Sequence, residues 1–467
     1  MNYMKKSIFV ISLFVLLGTT VALQAQVLKR KYTNGFMLQP LTQVLKEQYQ
    51  YAEDGVIVSN VLPESTAAAA AIIVNDIIIS VNDIPIKAQR DFAHPTLAAI
   101  KAGDEVVYKV FRAGKTIILK AKAVPKAGEV KSGITYEYSE VSTSVGTLRV
   151  IISKPSNTTA KLPAVLFIQG STCASVVDID EKDPYRQVTD GITQQGFVVM
   201  RVEKPGIGES EKNNACDAID FEQHVSLYNS AGTLLSKHPT VDAKRIFLFG
   251  HSFGGVIAPV LASKASFDIS GIATFGALTS NWGNYLSEII YLQVRQGGSA
   301  TDEEATTYKH NIQQLAKDIF ETNKPISEVA AANATTDNLL RQALAWQPNT
   351  NFLNGHSFAF NKTFHQIQPE YYWRKFKQRA LIFYGSADFE AISEAYAKAP
   401  VQWLASEGNH KASFVVLENT DHAFAKVPSM EAGIQLKQTP QYAQVMRNNF
   451  DKDVIAKFVQ WATAPSL

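Results

Sequence analysis

Gly250-His251-Ser252-Phe253-Gly254 sets a serine between two glycines, after the apolar run 245–249 and before the small, apolar stretch 255–262. A strand, a glycine-flanked serine and a helix in that order make a tight turn that lifts a hydroxyl above a sheet. The backbone at such a serine is strained and closely packed, so the positions two before and two after need a very small side chain. Gly250 and Gly254 meet that need. A serine hydroxyl alone is a poor nucleophile: a base must take its proton and a third group must orient that base. The chain should therefore supply a carboxylate and then a histidine, each just past a later strand. Residues 379–384 read as a strand ending in Gly385-Ser386-Ala387-Asp388, and 413–417 as one running into Asp421-His422-Ala423-Phe424. Ser252, Asp388 and His422 are the candidates for nucleophile, orienting acid and base, with Glu390 and Asp421 as substitutes for the acid. His251, inside the turn, is expected to pack beneath it rather than titrate.

The elements that must position these residues follow from the apolar pattern. Short continuous apolar runs at 163–168, 197–202, 245–249, 271–275, 380–384 and 413–417 fit strands buried on both faces of a parallel sheet. Segments such as 221–235 and 256–265 between them have helical periodicity, which predicts an α/β sheet covered by helices. Ahead of these runs, 134–141 and 146–153 suggest an antiparallel pair. The stretch 279–376 breaks the rhythm. It is helical in pattern, rich in Gln, Ala and Asn, and too long for a plain connection, so it reads as an inserted cap. Trp282 and Tyr285 follow closely on the 271–275 strand and are the cap aromatics singled out for a substrate pocket.

With these motifs the chain resembles the α/β-hydrolase superfamily over roughly residues 133–462. The resemblance implies an acyl-enzyme on Ser252, with His422 as general base and then general acid, and Asp388 orienting it. It also implies an oxyanion hole of two backbone N–H groups: that of Phe253, and that of Ser171 in the loop Gln169-Gly170-Ser171-Thr172-Cys173. Each such donor contributes about 3–4 kcal/mol to acyl transfer. Gln169 stands where many relatives carry histidine, but the donor is backbone. The loop Arg201-Val202-Glu203-Lys204-Pro205-Gly206-Ile207-Gly208-Glu209-Ser210 resembles the family's "Asp-x-Pro-Gly-x-Gly-x-Ser". It lacks the Lys-Ser/Thr ending of a nucleotide-binding loop. The two cysteines, Cys173 and Cys216, follow these two neighbouring loops. They form either a disulfide clamping the oxyanion side or two separate buried thiols.

Residues 31–124, set off by the Pro-Lys-Ala-Gly-Glu-Val-Lys linker at 125–131, form a smaller β-rich unit. It resembles a PDZ domain of the bacterial HtrA type, with matching stretches at 55–67 and 75–86. Gly35-Phe36-Met37-Leu38 occupies the place of that family's carboxylate-binding loop, which implies capture of a peptide C-terminus. Asn75 and Asp83 replace glycines usual in the pattern, at positions that need positive φ. The other reading of this unit is a small β-domain that packs on the enzyme and binds no peptide.

The 467 residues, 46% apolar and 19% charged, suffice for two or three folded units. A formal charge of +2 and the lack of a basic cluster argue against a nucleic-acid partner. Residues 1–25 read as a signal peptide: Lys5 and Lys6, an apolar core at 8–17, then small residues at 22–25. That core is shorter than the ~20 residues a membrane span needs, so the expected product is exported, periplasmic or extracellular, without a membrane anchor. No metal-ligand spacing and no cofactor motif is apparent. The combined expectation is an exported serine hydrolase of esters or amides. A peptidase is the nearer alternative, and a non-catalytic peptide-binding protein the more distant one.

Overall fold

The computed structural model describes residues 28–465 apart from 299, 323, 349 and 392; the expected signal peptide lies outside these residues. A small antiparallel sheet comes first: β1 (Phe36–Pro40), β2 (Val56–Val61), β3 (Ile77–Val81), β4 (Ile84–Pro85), β5 (Glu105–Arg112) and β6 (Lys115–Lys122). Its order is β1-β2-β3-β5-β6, with β4 on β3. Alternate residues of β5 (Val106, Tyr108 and Val110) enter the core with Val56, Val58 and Ile78. The β5–β6 hairpin turns on Ala113 (φ 48°) and Gly114 (φ 77°), the two successive positive φ values that a two-residue turn matched to strand twist requires. Asn75 and Asp83 take φ 75° and 63°, so both adopt the conformation for which the PDZ pattern uses glycine. Residues 36–38, expected in a binding loop, instead belong to strand β1. Only Gly35 (φ 74°) stays in the loop, because Phe36 and Leu38 pack into the small core.

The larger sheet has β7 (Ile134–Thr143), β8 (Gly146–Pro155), β9 (Leu162–Ile168), β10 (Val198–Val202), β11 (Val241–His251) and β12 (Gly271–Phe275). A short hairpin, β13 (Phe352–Leu353) and β14 (His356–Ser357), precedes its last strands, β15 (Arg379–Gly385) and β16 (Ala412–Leu417). The order is β16-β15-β12-β11-β9-β10-β8-β7; β8 is antiparallel to both neighbours and the other pairs are parallel. Neighbouring residues of each central strand feed opposite cores. Leu166, Leu248, Ile272 and Ile382 pack against helices Phe221–Ser236 and Phe253–Lys264. Phe167, Phe249, Phe275 and Phe383 face Pro184–Gln194 and Asp453–Thr463. Burial on both sides is why these strands read as unbroken apolar runs.

Between β12 and β15 the chain is mostly helical and builds its own core from Ile312, Leu315, Ile319, Leu340, Trp346 and Leu353. The β13–β14 hairpin was not anticipated. It turns on Asn354 (φ 50°) and Gly355 (φ 73°), a strong local hairpin signal hidden inside a helical pattern. The segment expected as a linker does join the two sheets, but it is no loose tether. Glu129 is buried, accepts from Ile179 N and pairs with Arg201 and Arg186. Residues 28–31 lie against the larger sheet too: Arg30 pairs with Asp178 (2.7 Å) and Glu209 (2.9 Å) and covers the Tyr138 ring.

Cys173 and Cys216 form a disulfide that ties the loop after β9 to the segment following the loop after β10. Denatured, unreduced protein should therefore show no reactive thiol, and two per chain would refute the pairing. Closing a loop with a sequence separation of 43 should add about 4 kcal/mol of stability, lost on reduction.

Candidate active site

Ser252 sits between β11 and helix Phe253–Lys264 at φ 53°, ψ −123°. A non-glycine residue there is strained by roughly 1–3 kcal/mol and persists only where its surroundings over-determine it. Here they do. Ser252 N donates to Phe275 O on β12 (2.8 Å), and Ser252 O accepts from Gly255 N (2.8 Å). A Cβ on Gly254 would stand 2.0 Å from Ile168 O of β9, and one on Gly250 would stand 2.4 Å from Gly254 O. Helix and strands approach so closely that only glycine fits at either position.

Asp388 and His422 come from the turns after β15 and β16. His422 Nδ1 donates to the two Asp388 oxygens at 2.9 and 3.0 Å, and Asp388 is fully buried. Asp388 Oδ1 also accepts from Glu390 N and Ala391 N, both 2.8 Å, which holds the carboxylate still. A Cβ on Gly276 would come within 2.7 Å of the imidazole, so that glycine makes room for the ring. Of the substitute acids, Asp421 builds the histidine's own loop, accepting from Ala423 N, Ala425 N and Tyr442 Oη. Glu390 lies on the other side of the ring, its Oε2 3.4 Å from His422 Nε2, while its other oxygen pairs with Lys437.

Burial alone would lower the His422 pKa, but Asp388 and then Glu390 outweigh it and push it up to about 9. Burial would likewise raise Glu390, yet His422 and Lys437 hold it down to about 2. Both carboxylates thus favour the protonated ring, Asp388 at Nδ1 and Glu390 on the Nε2 side. His251 behaves oppositely: burial pushes it down to about 3, and it stays neutral. Its Nε2–H donates to His422 O (2.8 Å) and its Nδ1 accepts from Tyr185 Oη (2.8 Å), which in turn accepts from Gly170 N (3.1 Å). This chain, with Tyr185 missed by the sequence reading, links the His422 backbone to the loop after β9.

In that loop Gly170 lies against Ser252, its Cβ position 3.4 Å from Ser252 Cβ, and half-buried Ser171 follows. The Phe253 N–H opens the first helical turn, where no backbone acceptor precedes it. Lys204 on the loop after β10 donates to Gly170 O and Thr172 O, a contact the sequence did not signal. Trp282 and Tyr285 stack on each other at the start of helix Trp282–Gln296 (ring centroids 5.4 Å). Trp282 also stacks on Phe364 and donates to Asn361 Oδ1, so it serves the junction between cap and sheet core. Tyr285 lines a narrow cleft with Ala277, Leu278, Glu288, Ala391 and Tyr396. In the small sheet, the Gly35 carbonyl accepts from Leu62 N, and β1 pairs only with β2 among the described residues, leaving one edge free.

Residues 35–122 match the PDZ domain family, and 179–355 match the family described as serine aminopeptidase, S33. The chain has an α/β-hydrolase fold behind a PDZ domain. Esterase FrsA of Photorhabdus laumondii subsp. laumondii is 33% identical over 110 residues, 24% of this chain, and the chain spans about a quarter (25%) of that esterase's length. Among solved structures, the esterase domain of a Rhodothermus marinus protein aligns at 16% identity over 67% of this chain and 98% of its own, with a TM-score of 0.38. Est1E from Butyrivibrio proteoclasticus aligns at 13% identity over 70% and 98%, with a TM-score of 0.40. Among the described residues of the α/β-hydrolase no helix is long and apolar enough to cross a membrane, and no cluster of His, Cys, Asp or Glu suits a metal.

Two outcomes follow for the hydrolase domain. Gly254→Ala should cost upward of about 3 kcal/mol, read by chemical denaturation, because its new methyl meets backbone rather than a side chain that can move. NMR titration should show His422 protonated through neutral pH with a midpoint near pH 9, and Glu390→Gln should lower that midpoint by about one unit. An unchanged midpoint would mean that Glu390 does not act on the ring.

Proposed function

We propose that the protein is an exported serine hydrolase that cleaves an ester bond through an acyl-enzyme on Ser252. The observation that carries this reading is the strained serine at the end of one strand, with a histidine whose Nδ1 is bonded to a buried carboxylate at the same end of the parallel sheet. In the reaction His422 Nε2 takes the Ser252 proton as Oγ attacks the acyl carbonyl, and Asp388 stabilises the imidazolium that forms. The negative oxygen is received by the Phe253 and Ser171 N–H groups. Collapse of the tetrahedral intermediate expels the alcohol, which takes its proton from His422, and water then repeats the sequence on the acyl-enzyme. The imidazole must be neutral to begin, and Glu390 must release its Nε2 so that it can take the Ser252 proton while Nδ1 stays on Asp388. The rate should therefore rise with pH towards the His422 pKa of about 9.

Esters come first because an alcohol leaves more easily than an amine. A peptidase is the second reading, favoured by the serine aminopeptidase match over 179–355 and by the free edge of β1, which could take a chain end as an added strand. The disulfide suits an oxidising compartment and so accords with export.

A panel of nitrophenyl esters of graded chain length and aminoacyl-nitroanilides separates the two substrate classes. Ser252→Ala should lose roughly a thousandfold or more of the turnover while melting normally. Hydrolysis that survives in this variant would refute the mechanism. Folded wild-type protein that a fluorophosphonate fails to label would instead support a non-catalytic, peptide-binding role.

A further inference from the structure

Lys204 is fully buried and, among the described residues, has no carboxylate partner. Burying an unpaired ammonium is costly, several kcal/mol on the order of an isolated ion in a protein interior. Burial accordingly drags this lysine down to about 7, and the nearby His224 and His356, themselves held neutral, add no compensating negative charge. An apolar side chain of the same length would fill the space without that cost. What an apolar chain could not do is what Nζ does here: donate to Gly170 O at 2.6 Å and to Thr172 O at 3.0 Å.

We propose that Lys204 is a positioning residue for the oxyanion hole, fixing the Gly170–Ser171 peptide, with a second hold on the Thr172–Cys173 peptide beyond it, so that the Ser171 N–H is presented on the side of Ser252. The proposal rests on reading Ser252 as the nucleophile. The C=O and N–H of one trans peptide point in opposite directions. Holding Gly170 O on Lys204 therefore sends the Ser171 N–H away from the lysine, and Gly170 itself abuts Ser252. Other anchors of the loop act on the neighbouring groups and leave the Gly170 carbonyl to Lys204: Tyr228 and His356 reach the Gln169 and Ser171 backbone, Tyr185 Oη receives Gly170 N, and the disulfide holds Cys173. If the peptide turned over, a carbonyl oxygen would meet the developing oxyanion where a donor is needed.

Lys204→Met keeps the length of the side chain and removes the donors. Losing one oxyanion donor costs about 100–1,000-fold in kcat, so misplacing it should cost roughly 30–100-fold, with KM within about twofold. A trifluoromethyl ketone, to which Ser252 Oγ adds to give a tetrahedral oxyanion, should lose affinity by the same factor as kcat/KM; a purely structural lysine would not link these quantities. Lys204→Arg, which keeps donors and charge, should recover most of the rate. A kcat for Lys204→Met within threefold of wild type, or a kcat loss with unchanged ketone affinity, would overturn the proposal. Should the Met variant not fold, Lys204→Arg decides: near-normal ketone affinity supports the proposal, and a folded Arg variant that has lost it refutes it. Ser252→Ala run in parallel separates the two readings. Turnover surviving there sinks the nucleophile itself, whereas turnover lost there but intact in Lys204→Met sinks only the lysine's role.

Discussion

The close approach of Gly254 to the Ile168 carbonyl is the contact on which the rest of the site depends. At 2.0 Å from a would-be Cβ, it brings the first turn of helix Phe253–Lys264 down onto the end of β9. The chain can reach that position from β11 only by reversing at one residue, so Ser252 is forced to φ 53°. Three consequences follow from the one crossing. The serine side chain stands clear of the sheet, the free N–H groups of a helix N-terminus open beside it, and the loop after β9 lies against it through Gly170. Parallel pairing of β9, β11, β12, β15 and β16 then brings the turns carrying Asp388 and His422 to the same end of the sheet.

Electrostatics divide the two histidines near the serine into different tasks. His251 is governed by its burial, which outweighs the pull of Glu390 and keeps it neutral, and both its nitrogens are engaged in hydrogen bonds. It forms one link of a chain from Gly170 N through Tyr185 to the His422 carbonyl. His422 lies between Asp388 and Glu390, and two negative neighbours outweigh its burial. The ring is flanked by a carboxylate on each side, and Lys437 offers Glu390 a second partner.

Most of this was legible from residue order, for a definite reason. Strands buried on both faces read as continuous apolar runs, so their ends could be located, and the chemical groups sit at those ends. Asn75 and Asp83 show the same transparency in the small sheet, since their short polar side chains tolerate the positive φ that the turns demand. What stayed hidden depends on which side of a residue faces which neighbour. Glu390 lies only two residues from Asp388, yet it meets the opposite nitrogen of the ring, a distinction that spacing along a chain does not encode. Lys204 looked like part of a glycine-rich turn; its partners lie on a loop more than thirty residues away in sequence (|i−j| of 34 and 32), brought close by the β9–β10 pairing. The Asn354-Gly355 hairpin carried a clear local signal that the surrounding helical composition masked.

The same loop after β10 also receives the segment that leads into the small domain. Glu209 accepts from Arg30 Nε, Lys31 N and Arg149 Nε, and Ser210 Oγ bridges Arg149 N to the Glu203 carbonyl. Six residues before Ser210, on the other side of the loop's glycines, Lys204 donates to the carbonyls of Gly170 and Thr172, the two neighbours of Ser171. Gly208 packs on the Glu203 side chain, a Cβ there lying 2.0 Å from Oε1, so the two ends of the loop meet through this contact. The segment leading into the PDZ domain is therefore anchored on the same loop that carries Lys204, and this shared loop, more than a free tether, defines how the chain is put together.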